Sequence, residues 1–301
     1  MAVSRIKLIG ADVEVSRFIV GFWRLGSWGV TSTELQFFVE ELVDLGVTTM
    51  DHAFVYRSEA LFGEVLKKSP ALRNQIEIVT KFGIRPTGFG PLGATSTNHY
   101  DSSSDYLRTS VENSLRELNT DRIDILLVHR PDYLMDVDKM AVAFETLMAE
   151  GKVRSFGVSN FSASQFSLLQ SRLSNPLVTN QVECSPLCLD ALENGVLDQC
   201  QQLGVNPMFW SCLAGGELLT GEDERSKRVQ SALNFVAEET GANSLEQVVY
   251  SWLLKHPSNA LPIIGTSKIE RVKDSIAAEQ LEISSEHWYS ILEASKGSQV
   301  P

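Results

Sequence analysis

The sequence predicts an α/β protein, a (β/α)8 TIM barrel entered through a short N-terminal β-hairpin. Three observations predict it: eight short β-branched runs, an amphipathic stretch of helical period after each, and polar residues where several of those runs stop. Such alternation makes βαβ units and a parallel sheet, and eight units favour closure into a barrel over an open doubly wound sheet. The chain has 301 residues, a length such barrels reach as one domain, and no Pro-, Gly- or Ser-rich linker interrupts the pattern. Residues 1–301 therefore read as a single domain.

Taken in order, residues 6–20 read as a hairpin turning at Gly10-Ala11-Asp12. Barrel strands are expected at 18–21, 48–51, 76–81, 123–129, 153–159, 178–183, 206–210 and 261–264. Helical periodicity fills 33–45, 59–67, 105–118, 138–150, 163–172, 192–203, 227–239 with 245–254, and 269–278. Ser162 is placed to cap one helix, and Gly46 and Gly204 to close two others in the left-handed conformation.

Composition narrows the function. Hydrophobic residues at 43% and charged residues at 21% are ordinary for a globular protein and argue against disorder and membrane insertion. No apolar run nears the roughly 20 residues of a spanning helix. The opening Met1-Ala2-Val3-Ser4-Arg5 lacks the plan of a signal peptide, which points to the cytosol. A formal net charge of −12 repels phosphate backbones, so nucleic acid is not an expected partner. It also means that an anionic cofactor would need a local basic cluster. Cys184, Cys188, Cys200 and Cys212 are too few for a disulfide framework and read as thiols. Cys184 and Cys188 have no nearby His, so no metal is expected.

Gly88-Phe89-Gly90-Pro91-Leu92-Gly93 fits the GxGxxG pattern, but it begins seven residues after Lys81 and runs into Ala94-Thr95-Ser96-Thr97-Asn98 without a helix start. The dinucleotide fingerprint needs a tight strand-to-helix turn, so this is read as a flexible loop over the barrel mouth. The strand ends are more informative. The second strand stops at Asp51, with Tyr56 just after it; the third stops at Lys81 and the fourth at His129. Carbonyl reduction leaves an alkoxide that needs a proton, and a tyrosine supplies it if a neighbouring cation lowers its pKa. Lys81 would provide that field, Asp51 would balance the lysine, and His129 would polarise the carbonyl through a hydrogen bond. Neither paired strand-end carboxylates nor a GxSxG elbow is present for a hydrolase.

Residues 48–56 around Asp51 and Tyr56, Val79-Thr80-Lys81, Leu127-Val128-His129, the stretch 151–161 and Asn180-Gln181-Val182-Glu183 together resemble the successive signatures of aldo-keto reductases over nearly the whole chain. The resemblance implies an extended NADPH/NADP+ across the barrel mouth and a small-molecule carbonyl substrate. Ser159, Asn160 and Gln181 match residues that bond the nicotinamide carboxamide. Trp210 stands where the family stacks a tyrosine on that ring. The stretch from Ser211 through Leu213 and Gly215 to Gly216 would wrap the pyrophosphate. After the eighth strand, Gly265, Ser267, Lys268 and Arg271 open a helix suited to a 2′-phosphate, which favours NADPH over NADH. Asp274-Ser275 replaces the family's usual Glu-Asn pair beside the adenine. Trp23 is the expected substrate-pocket aromatic, with core packing the competing explanation for Trp28.

Family members place a glycine and several further residues between the catalytic tyrosine and the next Glu, whereas Tyr56-Arg57-Ser58-Glu59 is compressed. That shortening keeps open an alternative, an NADPH-binding regulatory or redox-sensing subunit with little turnover. A monomer or weak homo-oligomer is expected, with no membrane partner.

Overall fold

The computed structural model describes residues 3–301. β1 (Arg5–Lys7) and β2 (Glu14–Ser16) pair antiparallel as the N-terminal hairpin. The closed barrel comprises β3 (Ile19–Gly21), β4 (Thr49–Asp51), β5 (Glu77–Phe82), β8 (Ile123–Val128), β9 (Val153–Ser159), β10 (Asn180–Glu183), β11 (Met208–Trp210) and β12 (Leu261–Ile264). Every neighbouring pair is parallel, and β12 returns to β3. The expected α/β barrel with its leading hairpin is therefore what the chain forms. Between β5 and β8, β6 (Ile84–Arg85) and β7 (His99–Tyr100) add a small antiparallel ribbon, and residues 86–98, including the GxGxxG stretch, form its loop.

The helices are α1 (Ser32–Asp44), α2 (Glu59–Lys68), α3 (Ser104–Glu117), α4 (Val137–Ala149), α5 (Ala163–Gln170) and α6 (Asp190–Glu193). They continue with α7 (Val196–Leu203), α8 (Glu217–Thr220), α9 (Glu224–Thr240), α10 (Leu245–Leu254), α11 (Ile269–Ile276) and α12 (Ser285–Lys296). Local chemistry sets many of their ends. Ser162 caps α5 in a reciprocal box with Gln165, and Thr31 does the same for α1 with Glu34. Gly204 closes α7 at φ 66°.

Two readings need correction. The helix expected over 192–203 is broken by Gly195, whose φ of 81° ends α6 and starts α7. The C-terminal α12 was not anticipated, because its cap pairs Ser284 with His287 in place of the usual Glu or Gln. It packs on α9 and carries Trp288, which stacks on Trp252 of α10 at 5.0 Å between ring centroids.

Two apolar cores result. The larger lies between barrel and helices. The smaller fills the barrel itself, where Leu8, Val13 and Val15 of the hairpin meet Ile19, Val79, Ile125, Leu127 and Met208. The hairpin thus plugs the N-terminal end, and chemistry is left to the C-terminal end.

Candidate active site

Strand register gathers the polar strand ends. Gly21 pairs with Asp51, Asp51 with Val79 and Lys81 with Leu127, so Asp51, Lys81 and His129 come up on adjacent strands at one rim. The Lys81 ammonium is buried and has three partners: Asp51 Oδ1 at 2.7 Å, Asp51 Oδ2 at 2.8 Å and the His52 carbonyl at 2.7 Å. Burial alone would pull its pKa down, but Asp51 and Tyr56 outweigh that and raise it above the ordinary lysine value. Lys81 is therefore charged at neutral pH.

Tyr56 ends the single 3-10 turn Phe54–Tyr56. Its hydroxyl lies 3.4 Å from His129 Nε2, and the Lys81 ammonium lies 5.0 Å from its ring centroid. The sequence expectation of a lowered phenol pKa is not met. Burial raises it, and although Lys81 pulls the other way, the net shift is upward. The phenol accordingly holds its proton and stands ready to donate it. His129 is driven well below its ordinary value by burial, then by the charges of Lys81 and Arg130, so the imidazole is neutral. Its Nδ1 has no hydrogen-bond partner among the described residues. The tautomer with its proton on Nε2 would point a donor toward the Tyr56 hydroxyl.

A cavity of about 530 Å³ opens above these groups. Asp51, Tyr56, His129, Ser159, Asn160, Gln181, Trp210, Ser211, Leu213, Gly215, Gly265, Arg271 and Trp23 all line it. Lys81 lies beneath. Ser267 and Lys268 are exposed and stand outside the lining, so the basic group expected after β12 is divided, with Arg271 alone facing inward. Arg271 is also paired with Glu246 at 2.9 Å.

Several polar groups are held by one another. Gln181 Nε2 donates to Asp51 Oδ1 at 2.9 Å, while its side-chain oxygen accepts no hydrogen bond among the described residues. Asn160 donates to Ser159 Oγ at 2.8 Å and accepts from Trp210 Nε1 at 3.3 Å. Ser275 lines the cavity but turns its hydroxyl back to the Arg271 carbonyl at 2.7 Å. Trp28 packs against Phe22 and Phe38 in the core, whereas Trp23 is 63% exposed at the mouth, 6.5 Å from the Tyr56 ring. A proton-holding phenol and a neutral imidazole converging on a cavity, with a buried cation behind them, can stabilise and protonate a developing alkoxide.

A family model described as "Aldo/keto reductase family" matches residues 17–296. The chain is 49% identical over 302 residues to the oxidoreductase YdhF of Escherichia coli (strain K12), covering 99% of this chain and 100% of that protein. The chain belongs to the aldo/keto reductase family. This reductase is also 40% identical to a 6-dehydroglucose reductase of Agrobacterium fabrum, covering 96% of this chain and 97% of that one. In three dimensions it resembles the thermostable aldo-keto reductase Tm1743, solved with the inhibitor epalrestat. The TM-score is 0.80 at 24% identity, covering 97% of this chain and 99% of that one, a likeness of fold. The family draws its reducing power from a nicotinamide dinucleotide, and this chain is an oxidoreductase of that kind.

Within the reductase, the compressed turn after Tyr56 has a simple geometry. Arg57 takes φ 56°, the left-handed conformation a glycine would adopt, and α2 begins two residues later. Its guanidinium lies 3.9 Å over the Phe89 ring. The shortening leaves the Tyr56 hydroxyl beside His129. Sequence reasoning missed Arg24, Arg130, Glu246 and Tyr250, which also line the cavity. For Arg130 a signal existed, since it directly follows His129 at a strand end.

Proposed function

We propose that this reductase uses NADPH to reduce a small aldehyde or ketone to the alcohol. One observation carries the reading: the Tyr56 hydroxyl and the neutral His129 imidazole meet at the cavity wall directly above the buried Lys81–Asp51 pair. His129 would donate from Nε2 to the carbonyl oxygen, polarising it. Tyr56, protonated at rest, would pass its proton to that oxygen as negative charge builds. Lys81 would stabilise the phenolate left behind, and Asp51 would keep Lys81 charged and in place.

The cavity's backbone fits a dinucleotide. Ser211 (φ 57°), Ala214 (φ 49°), Gly215 (φ 69°) and Gly216 (φ 111°) hold left-handed conformations within six residues. Non-glycine residues in that conformation are strained by about 1–2 kcal/mol each, and strain at a cavity wall marks a candidate nest of amides for an anion. Arg24 reaches this nest, its Nη2 lying 3.7 Å from where a Cβ on Gly215 would be. This supports a pyrophosphate seat at Ser211–Gly216 with Arg24 beside it. Bound there, the cofactor would supply hydride to the carbonyl carbon. Trp210 would cover the nicotinamide, and the acceptor oxygen of Gln181, with Ser159 and Asn160, would orient the carboxamide. Arg271, with Ser267 and Lys268 at the start of α11, would take the 2′-phosphate, the basis for preferring NADPH over NADH. Trp23 would flank the substrate. The reading places all these groups in one domain.

The test is Tyr56→Phe. General-acid loss predicts a fall in kcat of about 100-fold or more with NADPH affinity retained. A kcat within a few-fold of wild type refutes the assignment. Multiple turnovers of an aldehyde by the wild type separate an enzyme from a nucleotide-binding regulator, which would stop at one.

A further inference from the structure

Arg130 sits at the site with no hydrogen-bond or ion-pair partner among the described residues. It follows His129 at the end of β8, and the backbone beyond it is pinned. Pro131 restricts one torsion, and Asp132 accepts from Ser102 N at 3.0 Å, Ser102 Oγ at 2.7 Å and Leu134 N at 2.9 Å. Its side chain lines the cavity with Tyr56, His129 and Trp210, its Cζ lying 6.0 Å from the Trp210 ring centroid.

Other arginines that are partly buried or buried are committed. Arg73 reaches Asp124 at 2.7 Å and two carbonyls, Arg85 reaches Asp101 at 3.0 Å, and Arg271 reaches Glu246 at 2.9 Å. Arg130 forms no side-chain hydrogen bond and no ion pair among the described residues. A guanidinium has five donors and no acceptor, so whatever it binds in the cavity must present acceptor oxygens. Its charge reaches the reacting groups, adding to the burial that lowers His129 and working against the burial that raises Tyr56 and Glu183. Trp23, Val55 and Ile84 supply apolar lining to the same cavity.

We propose that Arg130 is the specificity-determining residue of the carbonyl pocket. It selects substrates that carry a carboxylate or hydroxyl oxygen within a few carbons of the carbonyl, the intervening chain lying on Trp23, Val55 and Ile84. This deepens the reductase reading and rests on it. Losing a charge-assisted hydrogen bond of this kind costs about 10- to 100-fold in kcat/KM.

The test compares butanal, glyceraldehyde and succinic semialdehyde with the NADPH-loaded full chain, as wild type, Arg130→Met and Arg130→Lys. Arg130→Lys keeps the charge and stem but loses the planar fork, and thermal unfolding checks that both variants fold. The expected result is a wild-type kcat/KM at least tenfold higher for one or both oxygenated aldehydes than for butanal. Arg130→Met should erase that margin, mainly through KM, and Arg130→Lys should keep only part of it. A margin for succinic semialdehyde that shrinks with salt identifies a carboxylate, while a salt-insensitive margin for glyceraldehyde identifies hydroxyls. Equal wild-type rates for all three, or a margin that survives Arg130→Met, overturn the assignment while leaving the reductase intact. No turnover of any of the three overturns the reductase reading itself, and this assignment with it.

Discussion

Replacing Asp51 by Asn keeps the shape at the base of the site and removes its negative charge. Asp51 Oδ1 accepts from both Lys81 Nζ at 2.7 Å and Gln181 Nε2 at 2.9 Å, so the Asn oxygen would take that position. Its NH2 would then replace Oδ2, an acceptor now 2.8 Å from the ammonium, and set donor against donor. Asp51 and Lys81 side chains are only 5% and 0% exposed, so water cannot substitute for the lost partner. Breaking a buried pair from one side costs about 3–5 kcal/mol. For a chain of this size that is a fall in Tm on the order of 5–15 °C.

The pH dependence carries the sharper test. In the wild type the folded Lys81 pKa is raised, so its stabilisation is complete below the unfolded value and is lost only as pH climbs through the folded one. Without the carboxylate, burial dominates and the folded pKa drops below the unfolded value. The unfolded variant then binds more protons than the folded one between those two values, so its stability rises with pH there. Denaturant unfolding of both proteins at about pH 7, 8.5 and 10 should show the gap narrowing. A loss under about 1 kcal/mol, or a gap that does not change with pH, refutes the account of Lys81 as a buried, carboxylate-dependent cation.

Arg271→Ala should weaken NADPH by about 10- to 100-fold and leave NADH nearly unchanged. Lys268→Ala should add less, because Lys268 lies outside the cavity lining. Equal weakening of the two nucleotides by the double variant, measured by fluorescence titration, removes the phosphate site. Since His129 sits well below its ordinary pKa, kcat/KM should show no histidine ionisation between about pH 5.5 and 7.5. A break near the ordinary histidine value that disappears in His129→Asn contradicts the neutral imidazole.

The barrel was legible because its strands are compact and each is followed by a helical stretch: all six residues of β8 are buried, as a short run in a sheet covered on both faces should be. Asp51, Lys81 and His129 were legible for a related reason, since a polar residue ending such a run has only the rim to occupy. What escaped depends on distance between chain segments. The sign of the Tyr56 shift is a contest between burial and a neighbouring cation, and sequence names the cation without measuring the burial. That Arg271 pairs with Glu246, or that Gln181 bonds Asp51, joins residues 25 and 130 positions apart with no local signature. Gly195 was visible, but its effect was not, because a glycine within a periodic stretch either continues the helix or breaks it.

The seal that Leu8, Val13 and Val15 make at the lower end of the barrel bears on the order of events in turnover. A vessel closed at its floor is filled and emptied from the top. In the proposed reading the larger guest, laid along the wall from Trp210 to Arg271, would settle before the smaller one is held against it, and the smaller would depart first. Steady-state patterns should accordingly be those of a compulsory sequence, nucleotide first in and last out.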